Sequence, residues 1–226
     1  MKLTIIIPVY NENSTIVRVI ERLQQSGCEA FEWIFVDDGS TDGTTQLLRE
    51  NVPSHQKLIA QSTNQGKSAA VRAGLEQATG DWIIVQDADL EYNPSEIPRL
   101  LETAESSVTQ PVAVYGRRPS YWQRPSRWVF ALGVLGIDIA FLLVYRRWVR
   151  DHATCYKLVP RRLLQSFDLQ ACGFEGCVEI TAKLMRSGTR IVQIPISYVP
   201  RKVSEGKKLT MGYGWTALCC VWKYRK

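Results

Sequence analysis

The chain reads as an α/β protein with a mostly parallel central sheet flanked by helices. Short β-branched runs alternate with helical patterns, the runs are apolar almost without interruption, and a polar cluster follows each run. LTIIIPV (3–9) shows none of the apolar–polar alternation of a half-exposed strand, as expected where helices cover both faces. STIVRVIERLQQ (14–25) then places apolar residues at helical spacing. WIFV (33–36) is a second strand, TTQLLRE (44–50) a helix, KLIAQS (57–62) a third strand, SAAVRAGLEQA (68–78) a helix and WIIVQD (82–87) a fourth strand. After about residue 106 the pattern changes. VAVYGRR (112–118) and RIVQIPISYV (190–199) read as strands. Residues 128–145 form one or two apolar helical segments broken at Gly133 and Gly136, and 173–187 and 212–225 are helical. No internal repeat or low-complexity linker divides the chain, so one domain over 1–226 is expected, with a nucleotide-binding half (1–116) and a second half (117–226).

The 226 residues suffice for one well-filled core, and their composition excludes a disordered or multi-pass membrane protein. The net charge of +6 conceals a division: residues 1–116 carry 8 Lys/Arg against 16 Asp/Glu, and residues 117–226 carry 20 against 6. A basic half beside an acidic one expects an anion, whether a lipid surface or phosphate. Nucleic acid is not expected, because the other half is acidic and no RNA-binding motif is present. Six cysteines without paired CxxC spacing and only two histidines argue against zinc and against a disulfide framework. The N-terminal apolar run is too short for a signal sequence, so a reduced, cytoplasmic protein is expected.

The polar clusters PVYNEN (8–13), DDGSTDGT (37–44), TNQGKS (63–68) and DADLE (87–91) all fall at strand exits, the edge where open α/β sheets bind ligands. Asp87 and Asp89, at i and i+2 in extended backbone, point to one side and repel unless a cation lies between them. Oxygen-only donors select Mg2+ or Mn2+, ions that commonly bridge to substrate phosphates. The alternative for DADLE is a solvated loop. Gly66 and Lys67, at the start of a helix, suit a phosphate. No GxGxxG follows the first strand and no GxxxxGK[ST] occurs, which argues against the dinucleotide fold and the P-loop.

IIIPVYNE, VDDGSTDGT, NQGKSAAVRAGLEQATGD and DADLEYNP, in this order and spacing, resemble the inverting GT-A glycosyltransferases of family 2. DHATCYKL, GFEGCVEITAKLMRSG, IPISYVPR and EGKK resemble the branch containing dolichyl-phosphate mannose synthase and related polyprenyl-phosphate glycosyltransferases. The resemblance implies a GT-A fold and transfer of a sugar from a nucleotide-diphosphate donor, GDP-mannose or a UDP-sugar, to a polyprenyl phosphate. It further implies that Pro8, Tyr10, Glu12 and Asp38 hold base and ribose, and that Asp87, Asp89 and Glu91 form the metal site, Asp87 lying nearer the nucleotide. Glu91 stands where relatives often carry Gln. Arg117 would contact the diphosphate or sugar, and Asp151 would sit beside the acceptor, as orienting group, as base for a hydroxyl acceptor, or merely as a helix-end cap. Arg201 and Lys207, in the basic loop PRKVSEGKK, would grip the acceptor phosphate, with Arg127 a further binding candidate; an ordinary solvated charge run is the alternative for that loop.

Residues 129–145 are apolar except for Asp138 and fall short of the ~20 residues of a spanning helix. Flanked by Arg124, Arg127, Arg146, Arg147 and Arg150, they fit a helix lying in the headgroup plane, with a buried core helix and a span as alternatives. Many polyprenyl-phosphate relatives append transmembrane helices, whereas this sequence ends at Lys226 without them, so peripheral attachment to the cytosolic face is expected. The terminal WTALCCVWKYRK is either a second interfacial anchor or a docked helix. Two other readings stay open: transfer to a saccharide hydroxyl, and a non-catalytic nucleotide-sugar-binding module that docks a membrane partner protein.

Overall fold

The computed structural model describes residues 2–107, 112–119, 128–201 and 212–225, and, within these, no side chains for 128–131 and 212–213. The elements run β1 (Leu3–Val9), α1 (Ile16–Gln24), β2 (Glu32–Asp37), α2 (Thr44–Asn51), β3 (Lys57–Ala60), α3 (Lys67–Gln77), β4 (Trp82–Val85), a 3-10 turn at Pro94–Glu96 and α4 (Ile97–Glu105). There follow β5 (Val112–Arg117), α5 (Trp128–Tyr145), β6 (Lys157–Pro160), α6 (Arg161–Ser166), α7 (Gly176–Arg186), β7 (Arg190–Pro195) and α8 (Gly212–Lys223). The sheet has seven strands in the order β3-β2-β1-β4-β6-β5-β7.

β1 pairs in parallel with both β2 and β4, and β5 in parallel with β7, while β6 is antiparallel to β4 and to β5. That reversal positions the site. Because β6 runs the other way, the loop entering it, residues 151–156, lies at the edge where β1, β2, β4, β5 and β7 exit. Alternation along β1 divides the core between the two faces of the sheet: Leu3, Ile5 and Ile7 join one cluster with α1 and α4, and Ile6 joins the other with α3, α7 and α8.

α5 is one continuous helix through Gly133 and Gly136, where the sequence predicted one or two segments. A glycine inside a helix costs only about 1 kcal/mol, less than the packing of Ile137 and Phe141 into the core returns. Of the three placements open for this segment, the structure shows a helix with one buried face and one exposed face, the latter carrying Leu132, Ile139, Leu142 and Leu143. Among the described residues no helix is long and apolar enough to cross a membrane. The four-residue β6 escaped the sequence reading because it runs directly into α6, with no cluster of turn residues to mark its end.

Candidate active site

The loops leaving β1 and β2 are bound to one another. Asn11 takes a positive φ of 52° and its backbone N–H donates to Ser40 Oγ (2.9 Å), while its Oδ1 accepts from Thr41 N–H (2.8 Å). Gly39 is required at its φ of 72°: a Cβ there would lie 2.7 Å from the Thr63 carbonyl carbon, so the loop before α3 could not approach. Asp38 completes the junction. Its two carboxylate oxygens accept the N–H groups of Gln65 and Gly66, each at 2.8 Å, so this buried acid shapes the loop wall as well as facing the strand exits. Pro8 lies within β1 opposite Val36, and Tyr10 leaves that strand's end.

At the end of β4 the three acids part company. Asp87 is paired with Lys67, Nζ to Oδ1 2.5 Å, and Lys67 also lies 3.1 Å from Cys155 Sγ. Burial alone would strip the Lys67 proton, but the Asp87 carboxylate holds its pKa well above the ordinary value. Asp89 has no such cation: burial first, then the charges of Asp87 and Glu91, push it up to about 7. Glu91, expected as a third ligand, is turned away. Its Oε1 accepts from Arg201 N–H (2.6 Å) and its Oε2 from Tyr198 O–H. Among the described residues no three His, Cys, Asp or Glu side chains converge as a ready-made cage. The donor set that remains, Asp87 and Asp89, is oxygen-only and carries a carboxylate that its neighbours destabilise as an anion. Both features fit a hard divalent ion completed by phosphate oxygens.

Two expected phosphate contacts find other partners. The N–H groups of Ser68 and Ala69 at the start of α3 donate to the Cys172 carbonyl (2.8 and 3.4 Å), and Lys67 turns to Asp87. Arg201 directs its Nη2 to Glu12 Oε2 (2.6 Å) and its Nε to the Asp89 carbonyl (2.8 Å). With Ser197 N–H on Glu96 (2.7 Å) and Val199 N–H on the Glu91 carbonyl (2.9 Å), residues 197–201 form a strap along the β4 exit. An open cleft of about 790 Å³ beside it is lined by Arg18, Arg22, Asp89, Glu91, Tyr92 and Arg201, a volume within the small-molecule range.

Asp151 enters from the loop before β6 with a positive φ of 57°. Both its oxygens face Arg118, at 2.5 Å from Nη2 and 3.0 Å from Nε, and the Arg118 backbone N–H adds a third bond at 2.9 Å. The guanidinium stacks 4.9 Å from the Tyr198 ring centroid. The sequence pointed to Arg117; the arginine that meets Asp151 is its neighbour Arg118. Arg117 closes β5, its carbonyl accepting from Ile196 N–H (3.0 Å), whereas Arg118 shares parity with Val114 and Gly116 and so faces the Tyr198 side. That alternation was the signal available. Arg124, Arg127, Lys202, Lys207 and Lys208 lie outside the described residues.

Comparison with known proteins accords with this geometry. The sequence profile described as "Glycosyl transferase family 2" matches residues 4–165. An undecaprenyl-phosphate 4-deoxy-4-formamido-L-arabinose transferase from Proteus mirabilis is 42% identical over 213 residues, covering 91% of this chain and 62% of that protein. One of the same description from Yersinia pestis is 45% identical over 111 residues, covering 46% of this chain and 34% of that protein. The chain thus spans less than two thirds of these relatives' length. Among solved structures, glucosyl-3-phosphoglycerate synthase from Mycobacterium tuberculosis, in complex with Mn2+, UDP-glucose and phosphoglyceric acid, superposes with a TM-score of 0.72 at 18% identity, covering 99% of this chain and 79% of that one. At that identity the likeness concerns the fold alone, a GT-A glycosyltransferase architecture. Strand order, paired aspartates at the β4 exit and a family match over most of the sheet lead to one conclusion: the chain belongs to glycosyl transferase family 2.

Proposed function

We propose that the chain transfers a sugar, with inversion, from a nucleoside-diphosphate donor to a polyprenyl phosphate. The observation that carries this reading is the pair Asp87 and Asp89 at the β4 exit, in a family 2 chain 42% identical over 213 residues to an undecaprenyl-phosphate sugar transferase. Pro8, Tyr10, Glu12 and Asp38 line the base and ribose side. Asp87 and Asp89 would hold Mg2+ or Mn2+ against the donor diphosphate, where a divalent ion supplies Lewis-acid stabilisation of the leaving group. Lys67 orients Asp87 through their ion pair.

Asp151 does not suit the role of general base. A base needs a free lone pair aimed at the proton it removes, and both its oxygens are committed to Arg118. A phosphate-monoester acceptor removes the need, since its second pKa near ~6 leaves it largely dianionic at neutral pH. This favours a lipid phosphate over a saccharide hydroxyl. Asp151 then orients Arg118 toward the acceptor, and Arg201 meets the phosphate once it exchanges Glu12 for it.

We place the protein peripherally at a membrane. Leu132 and Leu143 of α5 and Trp215 and Trp222 of α8 are exposed, Leu143 and Trp215 each at 74%, as are Trp148, Arg146 and Arg150 just after α5 and Lys223 of α8; exposed apolar and aromatic side chains with basic ones are the make-up of an interfacial anchor. The test is incubation of the purified chain with Mg2+, undecaprenyl phosphate and a panel of UDP- and GDP-sugars, a UDP-4-deoxy-4-formamido-L-arabinose included. A glycolipid formed only when metal and lipid phosphate are both present is the expected result. Product from a saccharide acceptor alone would overturn the acceptor assignment.

A further inference from the structure

Asp138 is the one acid in the 18-residue apolar helix α5, and it is buried. His152 Nδ1–H donates to its Oδ1 at 2.6 Å, and His152 is itself only 1% exposed. A hydrogen-bonded acid and imidazole in an apolar layer are a poor stability device: replacing both by apolar groups of like shape is often neutral or stabilising. Their place in the fold offers another reason for them. His152 directly follows Asp151, whose left-handed backbone must be held from outside. The turn is pinned on every side: Thr154 N–H donates to the Asp151 carbonyl (3.1 Å), the buried Lys157 ammonium to the His152 carbonyl (2.8 Å), and the Phe141 ring lies 5.6 Å from the imidazole. The Asp138–His152 hydrogen bond thus ties α5 to this turn.

We propose that Asp138 and His152 are positioning residues: through them α5 fixes the turn carrying Asp151, and so the Asp151–Arg118 pair at the acceptor side of the site. The proposal rests on the transferase reading for its kinetic consequence, not for its structural one. The exposed face of the same helix is the one assigned above to the lipid surface, so seating α5 and placing Arg118 are mechanically linked.

The test compares the parent with Asp138→Leu/His152→Phe, with Asp138→Asn, and with Asp151→Asn as reference. Removing both partners leaves no unsatisfied buried group, so the double variant should melt within a few degrees of the parent. The readout independent of turnover is hydrogen exchange at Arg118 Nε, followed by side-chain 15N NMR and assigned with Arg118→Lys. Exchange should quicken at least tenfold in the double variant and in Asp151→Asn. In the transfer assay kcat should fall about tenfold with the donor KM unchanged. A double variant that keeps its melting temperature, its Arg118 exchange rate and its kcat overturns the proposal. If the parent transfers no sugar, the functional reading fails and the Arg118 exchange rate alone decides this one. If the double variant does not fold, Asp138→Asn, which keeps the side-chain shape, is judged by the same exchange criterion.

Discussion

At Asp89 three carboxylates crowd a partly buried strand exit, and this is the one of the three left without a cation or a pair of donors. Asp89→Asn removes that charge without opening a cavity. It should therefore leave the melting temperature unchanged or slightly raised while lowering metal-dependent donor turnover by more than about a hundredfold, because the diphosphate loses its Lewis acid. Turnover retained with Mn2+ still bound, by electron paramagnetic resonance, would remove Asp89 from the metal site. Glu32 at the opposite edge is a stability residue. Burial would raise its pKa, but Lys57 Nζ (2.8 Å), Thr4 Oγ1 (2.5 Å) and Thr79 N–H (2.8 Å) outweigh burial and hold it down at about 2. A depressed folded-state pKa gives stability that is complete above the ordinary value of 4.5 and lost as pH falls toward 2. Denaturant midpoints should drop across that window in the parent and less steeply in Glu32→Gln, which should lose about 1 kcal/mol at neutral pH after solvent screening. Asp87 and Asp89 stood out in the sequence because polar residues cluster at strand exits, whereas Asp151 was reached only through the family resemblance. Their partners were not legible: that Glu91 faces Tyr198 and Asp151 faces Arg118 depends on how strands distant in sequence meet.

Elements were legible where they were long and periodic. The three parallel βα repeats, whose apolar runs leave little choice of face, formed as expected, as did β5 and β7. β6 did not declare itself, and with it went the reason the 151–156 loop reaches the site. The start of α3 shows the same limit. A glycine before a helix reads as a phosphate cradle, yet the carbonyl that meets it comes from residue 172, on the loop before α7. Gly66 has a φ of 97°, and a Cβ there would lie 2.5 Å from the Cys172 oxygen. Gly66→Ala must strain both backbones at once, and a loss of about 2–4 kcal/mol is expected by chemical denaturation. A loss under 0.5 kcal/mol would mean that the 170–175 loop yields freely and does not hold the helix start.

For the whole molecule, the asymmetry of charge visible in the sequence acquires a direction once the helices are in place. The basic half carries the exposed apolar face of α5 and α8, while the acidic half carries the strand exits proposed for the nucleotide, so attraction to an anionic surface would also orient those exits relative to it. Two contributions to seating can then be separated. Each Lys or Arg near anionic lipid contributes about 1 kcal/mol, and this contribution is screened, the Debye length shrinking from about 8 Å at 0.15 M salt to about 3 Å at 1 M. The apolar contribution is not screened. Binding to vesicles containing anionic lipid should therefore weaken steeply with salt toward a residual level. Leu142→Glu/Leu143→Glu should abolish that residue and leave the salt-sensitive part weakened. Because Leu143 is 74% exposed and Leu142 39%, the substitutions fall on the outer face, and the melting temperature should stay within a few degrees of the parent. If instead the double variant binds vesicles as the parent does at 1 M salt, α5 does not enter the lipid, and its exposed leucines must be covered by something other than a bilayer.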